Sequence, residues 1–260
     1  MNVHAQSAVV NLLPDLPLAL KTAGEGRMVL VLHGGGGSAT VDGMSNHLAQ
    51  GARVVTPTHP GWNGTPRPDW FNGVDDLALA YLNYLEDNKL RDVIVVGSSL
   101  GGWIGAEMAC RDRSGNIAKL VLIDAGGVKI EGETIRDVFS LSPRSLTEHS
   151  FYDADRFYQD PATLPAEQLA LRRANMETLR VIAGDPYMHD PKLLRRLARV
   201  QTPTLVIWGE HDRITTPRYG NAYAKAFANA RFETVAKAGH LPHIEQSEIT
   251  LSLIDSFMAH

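Results

Sequence analysis

The residues best suited to chemistry lie in VIVVGSSLGGWIGAEM, at 93–108, where Gly97-Ser98-Ser99-Leu100-Gly101 fits the spacing G-x-S-x-G. A β-branched run precedes the motif and a small-residue run follows it, so Ser99 is placed where a strand turns sharply into a helix. Such a turn lifts a serine hydroxyl above the edge of a sheet and aims a helix N-terminus at the same spot. Small neighbours are required because the turn presses on adjacent elements; Gly97 and Gly101 supply them, and Gly102 extends the small surface. Ser98 is out of frame for nucleophilic attack and is expected to brace the turn by hydrogen bonding. A phosphate-binding loop would need Gly-Lys-Ser/Thr at its end, and no lysine is present here.

A serine nucleophile needs a base, an acid that orients the base, and donors for a developing oxyanion. LVLHGGGGSAT, residues 30–40, follows a predicted strand with His33 and four glycines. Glycines let backbone amides approach an oxyanion, so the expected donors are the N–H of Leu100 and that of Gly34 or Gly35. Gly34, Gly36 and Ala39 also fit a loose dinucleotide-binding pattern, but the next strand, in RVVTPTHPG, ends in Thr and Pro instead of an acid. Asp212 lies in LVIWGEHDRITTP and His240 in KAGHLPHIEQ, each in the loop after its own predicted strand. Asp124, ending LVLID, is the alternative acid; Glu210 is too close to its strand. His243 suits a capping or surface role, His211 a solvated loop and His33 a structural hydrogen bond. His4, His47, His59, His149, His189 and His260 have no catalytic context. His240-Leu-Pro-His243 is not H-E-x-x-H and no C-x-x-C occurs, so neither metal nor cofactor is expected.

Six apolar runs would carry these residues: 28–34, 53–58, 93–97, 120–124, 204–209 and 231–236. They lack polar alternation, as parallel strands covered on both faces do. A piece at Leu18–Thr22 reads as an antiparallel edge strand. Helical patterns at 74–90, 100–110, 217–229 and 245–259 alternate with the runs, which predicts an α/β fold with a mostly parallel, doubly wound sheet. Residues 129–199 break the rhythm. They hold helical pieces in ETIRDVF, AEQLALRRANMETLRVIAG and PKLLRRLARV, and no strand. A stretch of that length is too long for an ordinary connection and reads as an inserted helical cap, or else as an elaborated crossover packed on the sheet. The core then comprises 1–128 and 200–260.

Composition narrows the classes further. With 260 residues, 44% hydrophobic and 21% charged, the chain suits one large soluble domain. A net charge of −4 argues against a nucleic-acid or anionic-membrane surface. No run is long enough to span a bilayer and no leader pattern is visible at the N-terminus, so a cytoplasmic location is expected. The single cysteine, Cys110, excludes an internal disulfide and suits a small buried hydrophobe; Trp103 is expected in the core.

Taken together, HGGGG, GSSLGG, WGEHDRITTP and AGHLPHIE resemble the α/β-hydrolase superfamily, from about residue 15 to the C-terminus. The resemblance implies a Ser99–His240–Asp212 triad working without a cofactor. The region SPRSLTEHSFYDADRFYQDP with AEQLALRRANMETL is similar to that of meta-cleavage-product hydrolases, which cut carbon–carbon bonds. That likeness implies that Arg172 (or Arg173) reaches a substrate carboxylate. Two departures, Ser98 where that subfamily carries Asn and Leu241 where it carries Trp after the histidine, favour a carboxylic ester or lactone instead. Serine at 99, where dehalogenases and epoxide hydrolases carry Asp, speaks against those activities. A non-catalytic member of the fold is the third reading, disfavoured by the intact Ser, Asp and His. Met176, Phe139, Phe151, Phe157, Tyr152 and Tyr158 are expected either to line an apolar pocket, beside Ser98 and Leu241, or to pack cap helices together. The expected partner is a small-molecule substrate, not nucleic acid or a membrane; a homodimer is compatible with the sequence.

Overall fold

The computed structural model describes residues 5–260, so His4 lies outside the described residues. The strands are β1 (Gln6–Leu13), β2 (Leu16–Ala23), β3 (Met28–Leu32), β4 (Arg53–Thr58), β5 (Val93–Ser98), β6 (Ile117–Ile123), β7 (Thr204–Gly209) and β8 (Ala230–Val235). The helices are α1 (Asp42–Leu48), α2 (Val74–Asp87), α3 (Leu100–Arg111), α4 (Pro143–Ser150), α5 (Ala154–Phe157), α6 (Ala166–Ala183), α7 (Leu193–Arg196), α8 (Pro217–Ala226), α9 (Pro242–Glu245) and α10 (Ser247–Ala259). The strands form one sheet in the order β1-β2-β4-β3-β5-β6-β7-β8. β1 and β2 pair antiparallel with each other, as do β2 and β4, and every later pairing is parallel. This is the α/β-hydrolase arrangement.

Side chains alternate across the central strands and build a core on each face. Leu30, Leu32, Val95, Leu120, Leu122, Val206 and Trp208 join α2, α3 and α8 on one side. Val29, Val31, Ile94, Val96, Val121, Ile123, Leu205 and Ile207 join α1 and α10 on the other. Burial on both faces is why these strands read as unbroken apolar runs. Because β3 lies between β4 and β5, the connections leaving β3 and β5 part in opposite directions, and a crevice opens above their carboxyl ends.

Two expectations need correction here. Leu18–Thr22 belongs to an antiparallel strand, but β2 is interior, and β1 forms the edge. β1 is mostly exposed, so its strand character comes from pairing with β2 and not from a buried face. ETIRDVF is not a helix; the only helical turn there is 138–140. Tertiary bonds hold this segment open: the Arg136 N–H donates to Ile214 O and the Val138 N–H to the Tyr187 hydroxyl. Between β6 and β7, residues 129–199 carry α4, α5, α6 and α7 and contribute no strand to the sheet.

Burial separates the two antiparallel strands energetically. Val9 is 70% exposed and Leu18 is 0% exposed. Val9→Lys is expected to change stability by no more than about 0.5 kcal/mol. Leu18→Ala should cost about 2–5 kcal/mol. Urea unfolding midpoints of the two variants would check the contrast.

Candidate active site

Ser99 adopts φ 54° and ψ −114° between β5 and α3. A non-glycine residue in that region is strained, and the surroundings must hold it there. Its N–H donates to Ile123 O at 2.8 Å, which locks the turn to β6. A Cβ on Gly97 would lie 2.2 Å from Gly101 O, and one on Gly101 would lie 2.1 Å from Leu32 O. Both distances are far inside contact, so the motif's glycines are a steric requirement of the turn. Ser98, by contrast, does not brace it: the side chain is buried and Oγ has no hydrogen-bond partner among the described residues.

The turn presents Ser99 Oγ to His240 Nε2 at 2.9 Å, and His240 Nδ1 lies 2.8 Å from Asp212 Oδ2. A carboxylate only accepts, so Nδ1–H donates to Asp212 and Nε2 turns its lone pair toward the hydroxyl. Asp212 is itself fixed by the N–H groups of Ile214 and Thr215 on Oδ1 and by the Thr215 hydroxyl on Oδ2. Its side chain is fully buried and that of His240 nearly so. Asp212, and not Asp124, therefore holds the imidazole.

Asp124 sits beside this line, with φ 45° and full burial. Oδ1 accepts from the Gly209 N–H at 2.9 Å, while Oδ2 has no donor among the described residues. Burial, and then the charge of Asp212, push its carboxyl well above the usual range. Asp124, Asp212 and His240 form the one cluster of potential metal ligands among the described residues, with ligand atoms within 4.8 Å of one another. All four acceptor directions of Asp212 are already used, and Nδ1 of His240 carries a proton, so a metal ion would have to displace these bonds.

The glycine loop after β3 closes the other side. A Cβ on Gly34 would be 3.1 Å from Ser99 Cβ, which brings the loop backbone against the hydroxyl. The Gly34 carbonyl accepts from Gly37 N–H and His33 Nδ1, and the Gly35 carbonyl accepts from Trp62 Nε1. Across a trans peptide the next N–H points the opposite way, so Gly35 N–H is directed away from those tethers. The N–H groups of Gly34, Gly35 and Leu100 donate to no group among the described residues.

The loop rests on a buried pair, of which the sequence pointed to His33 as a structural hydrogen-bonding group and sequence reasoning missed His59. His33 Nε2 accepts from the His59 N–H at 3.0 Å, His59 Nε2 donates to His33 O at 3.0 Å, and His59 Nδ1 meets the Tyr81 hydroxyl. Burial pushes His33 down to about 4 and His59 well below its ordinary value, so both rings are neutral near pH 7. The available signal was the THPGW run at 58–62, a histidine directly after a strand. His243 is likewise not at the surface: it is buried, its Nε2 donates to Thr40 O, and burial lowers it to about 4. Cys110 is half-buried, with its thiol pushed up to about 11 by burial. Trp103 is in the core.

α6 approaches the glycine loop with Asn175, Thr178 and Leu179. The Asn63 N–H donates to Asn175 Oδ1 at 2.8 Å, Asn175 Nδ2 donates to Asn63 Oδ1 at 3.0 Å, and Thr178 Oγ1 donates to Gly61 O at 2.9 Å. Leu179 Cδ2 lies 2.6 Å from where a Cβ on Gly35 would stand. Met176 and Leu241 are half-buried. Arg172 does not reach inward: it is exposed and bonds Gln159, and Arg173 is exposed as well. The aromatic residues of 129–199 largely engage one another and nearby cations. Phe151 stacks on Phe157, Arg180 lies over Phe139 at 4.1 Å and Arg144 over Tyr158 at 5.0 Å. Tyr152 packs on His211.

Comparison with known proteins places this geometry in a family. Residues 29–252 match the alpha/beta hydrolase family, and the chain belongs to it. A curated relative, 2-hydroxy-6-oxononadienedioate/2-hydroxy-6-oxononatrienedioate hydrolase 2 of Pseudomonas putida, is 26% identical over 95% of this chain and 93% of its own. A meta-cleavage product hydrolase from Pseudomonas fluorescens is similar in structure, with a TM-score of 0.81, 19% identity, and 99% of this chain and 98% of that one covered. An esterase from Thermogutta terrifontis has a TM-score of 0.75 and 20% identity, with 98% of each chain covered. No helix among the described residues is long and apolar enough to cross a membrane.

Asp124 generates a pH-dependent expectation. The unfolded chain releases this proton near pH 3.9, whereas the native state keeps it, so wild-type stability falls as pH rises above that value. Asp124→Asn removes the titration and retains an acceptor for the Gly209 N–H. Its melting temperature should exceed that of wild type by more at pH 8 than at pH 5. A gain that does not change with pH in paired thermal melts would contradict a neutral Asp124.

Proposed function

We propose that the protein is a serine hydrolase that cleaves a carboxylic ester or lactone of a small to medium, partly apolar substrate through an acyl-enzyme. The observation that carries this reading is the unbroken hydrogen-bonded line from Ser99 Oγ through His240 to Asp212 Oδ2, at 2.9 and 2.8 Å. His240 Nε2 takes the hydroxyl proton as Oγ attacks the carbonyl carbon, and Asp212 stabilises the imidazolium that results. The N–H groups of Leu100 and of Gly35 or Gly34 receive the negative charge of the tetrahedral intermediate, each worth about 3–4 kcal/mol. His240 returns the proton to the leaving oxygen, and water repeats the sequence on the acyl-enzyme. Residues 129–199 act as the cap, with α6 roofing the glycine loop through Leu179.

A second reading is hydrolysis of a carbon–carbon bond in a vinylogous diketone acid, favoured by the names of the curated relatives. Three features of this chain weigh against it: Ser98 and Leu241 stand where that subfamily carries Asn and Trp, and the Arg172 guanidinium is engaged with Gln159.

Ser99→Ala should lower ester turnover by about 10⁴-fold or more, and Asp212→Asn by about 10³–10⁴-fold, with both proteins still folded. Steady-state assays with a p-nitrophenyl ester series measure this, and near-wild-type turnover by Ser99→Ala would defeat the assignment. Running the series beside a ring-fission dienoate separates the two substrate classes: much higher kcat/KM on the dienoate would select carbon–carbon cleavage. Absence of fluorophosphonate labelling at Ser99 in the wild-type protein would point to a non-catalytic member of the fold.

A further inference from the structure

The loop that carries His240 is held by a group outside the reacting line. Glu245, in α9, is buried, and its carboxylate accepts three backbone N–H bonds. Oε2 accepts from Gly239 at 2.8 Å and from Tyr152 at 3.1 Å, and Oε1 accepts from Asp153 at 2.7 Å. Gly239 directly precedes the base, while Tyr152 and Asp153 follow α4 in the inserted region. The same inserted segment touches the base itself, because the His240 N–H donates to Ser150 O at 2.7 Å. The approach is tight: a Cβ on Gly239 would lie 2.4 Å from Ser150 O and 2.8 Å from Phe151 Cα. The segment also reaches the loop of Asp212, where the Arg213 N–H donates to His149 O at 3.2 Å and Arg213 Nη1 to Glu148 O at 3.0 Å. Residues 148–153 thus form a strap across both loops that feed the imidazole, and Glu245 is the clasp that closes it.

We propose that Glu245 is a positioning residue for His240, acting by tying the histidine loop to residues 150–153 of the inserted region. The proposal rests on the serine-hydrolase reading for its kinetic consequence and on geometry alone for its structural one. Three charge-assisted N–H bonds to one buried carboxylate set the height and tilt of the loop. Removing them leaves the Gly239, Tyr152 and Asp153 N–H groups without an acceptor and frees the strap to slide. The imidazole then samples positions out of line with Ser99 Oγ, and misplacement on the scale of 1 Å is enough to disable proton transfer.

The test compares Glu245→Ala and Glu245→Gln with wild type by two measurements. Glu245→Ala should lower kcat by about a hundredfold with KM changed by no more than about twofold. Glu245→Gln keeps one acceptor oxygen and should fall between, roughly tenfold below wild type, as for one lost hydrogen bond to a charged group. The second measurement is the strongly downfield proton NMR resonance of His240 Nδ1–H shared with Asp212, assigned by its loss in Asp212→Ala. It should broaden or move upfield in Glu245→Ala and persist, shifted less, in Glu245→Gln. Wild-type kcat and an unmoved resonance in either folded variant would overturn the proposal, and if Glu245→Ala does not fold, Glu245→Gln decides. The resonance is read whether or not a substrate is found. A wild type that fluorophosphonates do not label would therefore retire the serine reading and leave the positioning role to be settled by the resonance.

Discussion

The conformation of one residue governs the site. Ser99 is held at positive φ because the strand before it and the helix after it must meet within a single residue. That requirement propagates outward. Gly97 and Gly101 can carry no side chain because the turn folds back on β3 and α3, and the Ser99 N–H is spent on β6. Leu100, as the first residue of α3, is left with an N–H that no helical carbonyl can satisfy. The strain that exposes the hydroxyl thus also creates a free donor next to it. The placement of the hydroxyl and the free N–H beside it both arise from one backbone constraint.

Around that turn, burial keeps the neighbouring titratable groups uncharged. His33 and His59 are deep enough that each would take up a second ring proton only well below the pH at which a free imidazole charges, and they serve as fixed hydrogen-bond struts under the glycine loop. Asp124 is held in its acid form by burial and by the carboxylate beside it. The result is a single negative charge beneath His240 instead of two.

How much of this could be read from the chain depended on whether the information was local. The runs at 53–58 and 204–209 coincide with β4 and β7 because strands covered on both faces need apolar residues throughout. Ser99, Asp212 and His240 were legible because each follows such a run, and the structure brings them together. β1 was missed because an edge strand with mostly exposed side chains has no buried face to impose a pattern. α1 was missed because DGMSNHL is short and polar, with only Met44, Ser45 and Leu48 turned inward. His59 looked idle because its partners lie far away in sequence, His33 just after β3 and Tyr81 in α2, and nothing local to Ser98 reveals that its buried hydroxyl finds no partner among the described residues. Arg172 fell short for a related reason, since the first half of α6 is largely exposed and the helix meets the core only from Asn175 onward, through Leu179, Ile182 and Ala183.

The strap at 148–153 alters what it means to exchange one roof for another in this architecture. A helical insertion is readily viewed as an interchangeable hood that selects substrates while the machinery below stays constant. Here Ser150 lends its carbonyl to the amide of His240, and His149 lends its own to the neighbour of Asp212. Transplanting a foreign hood would therefore remove part of the seat on which His240 rests.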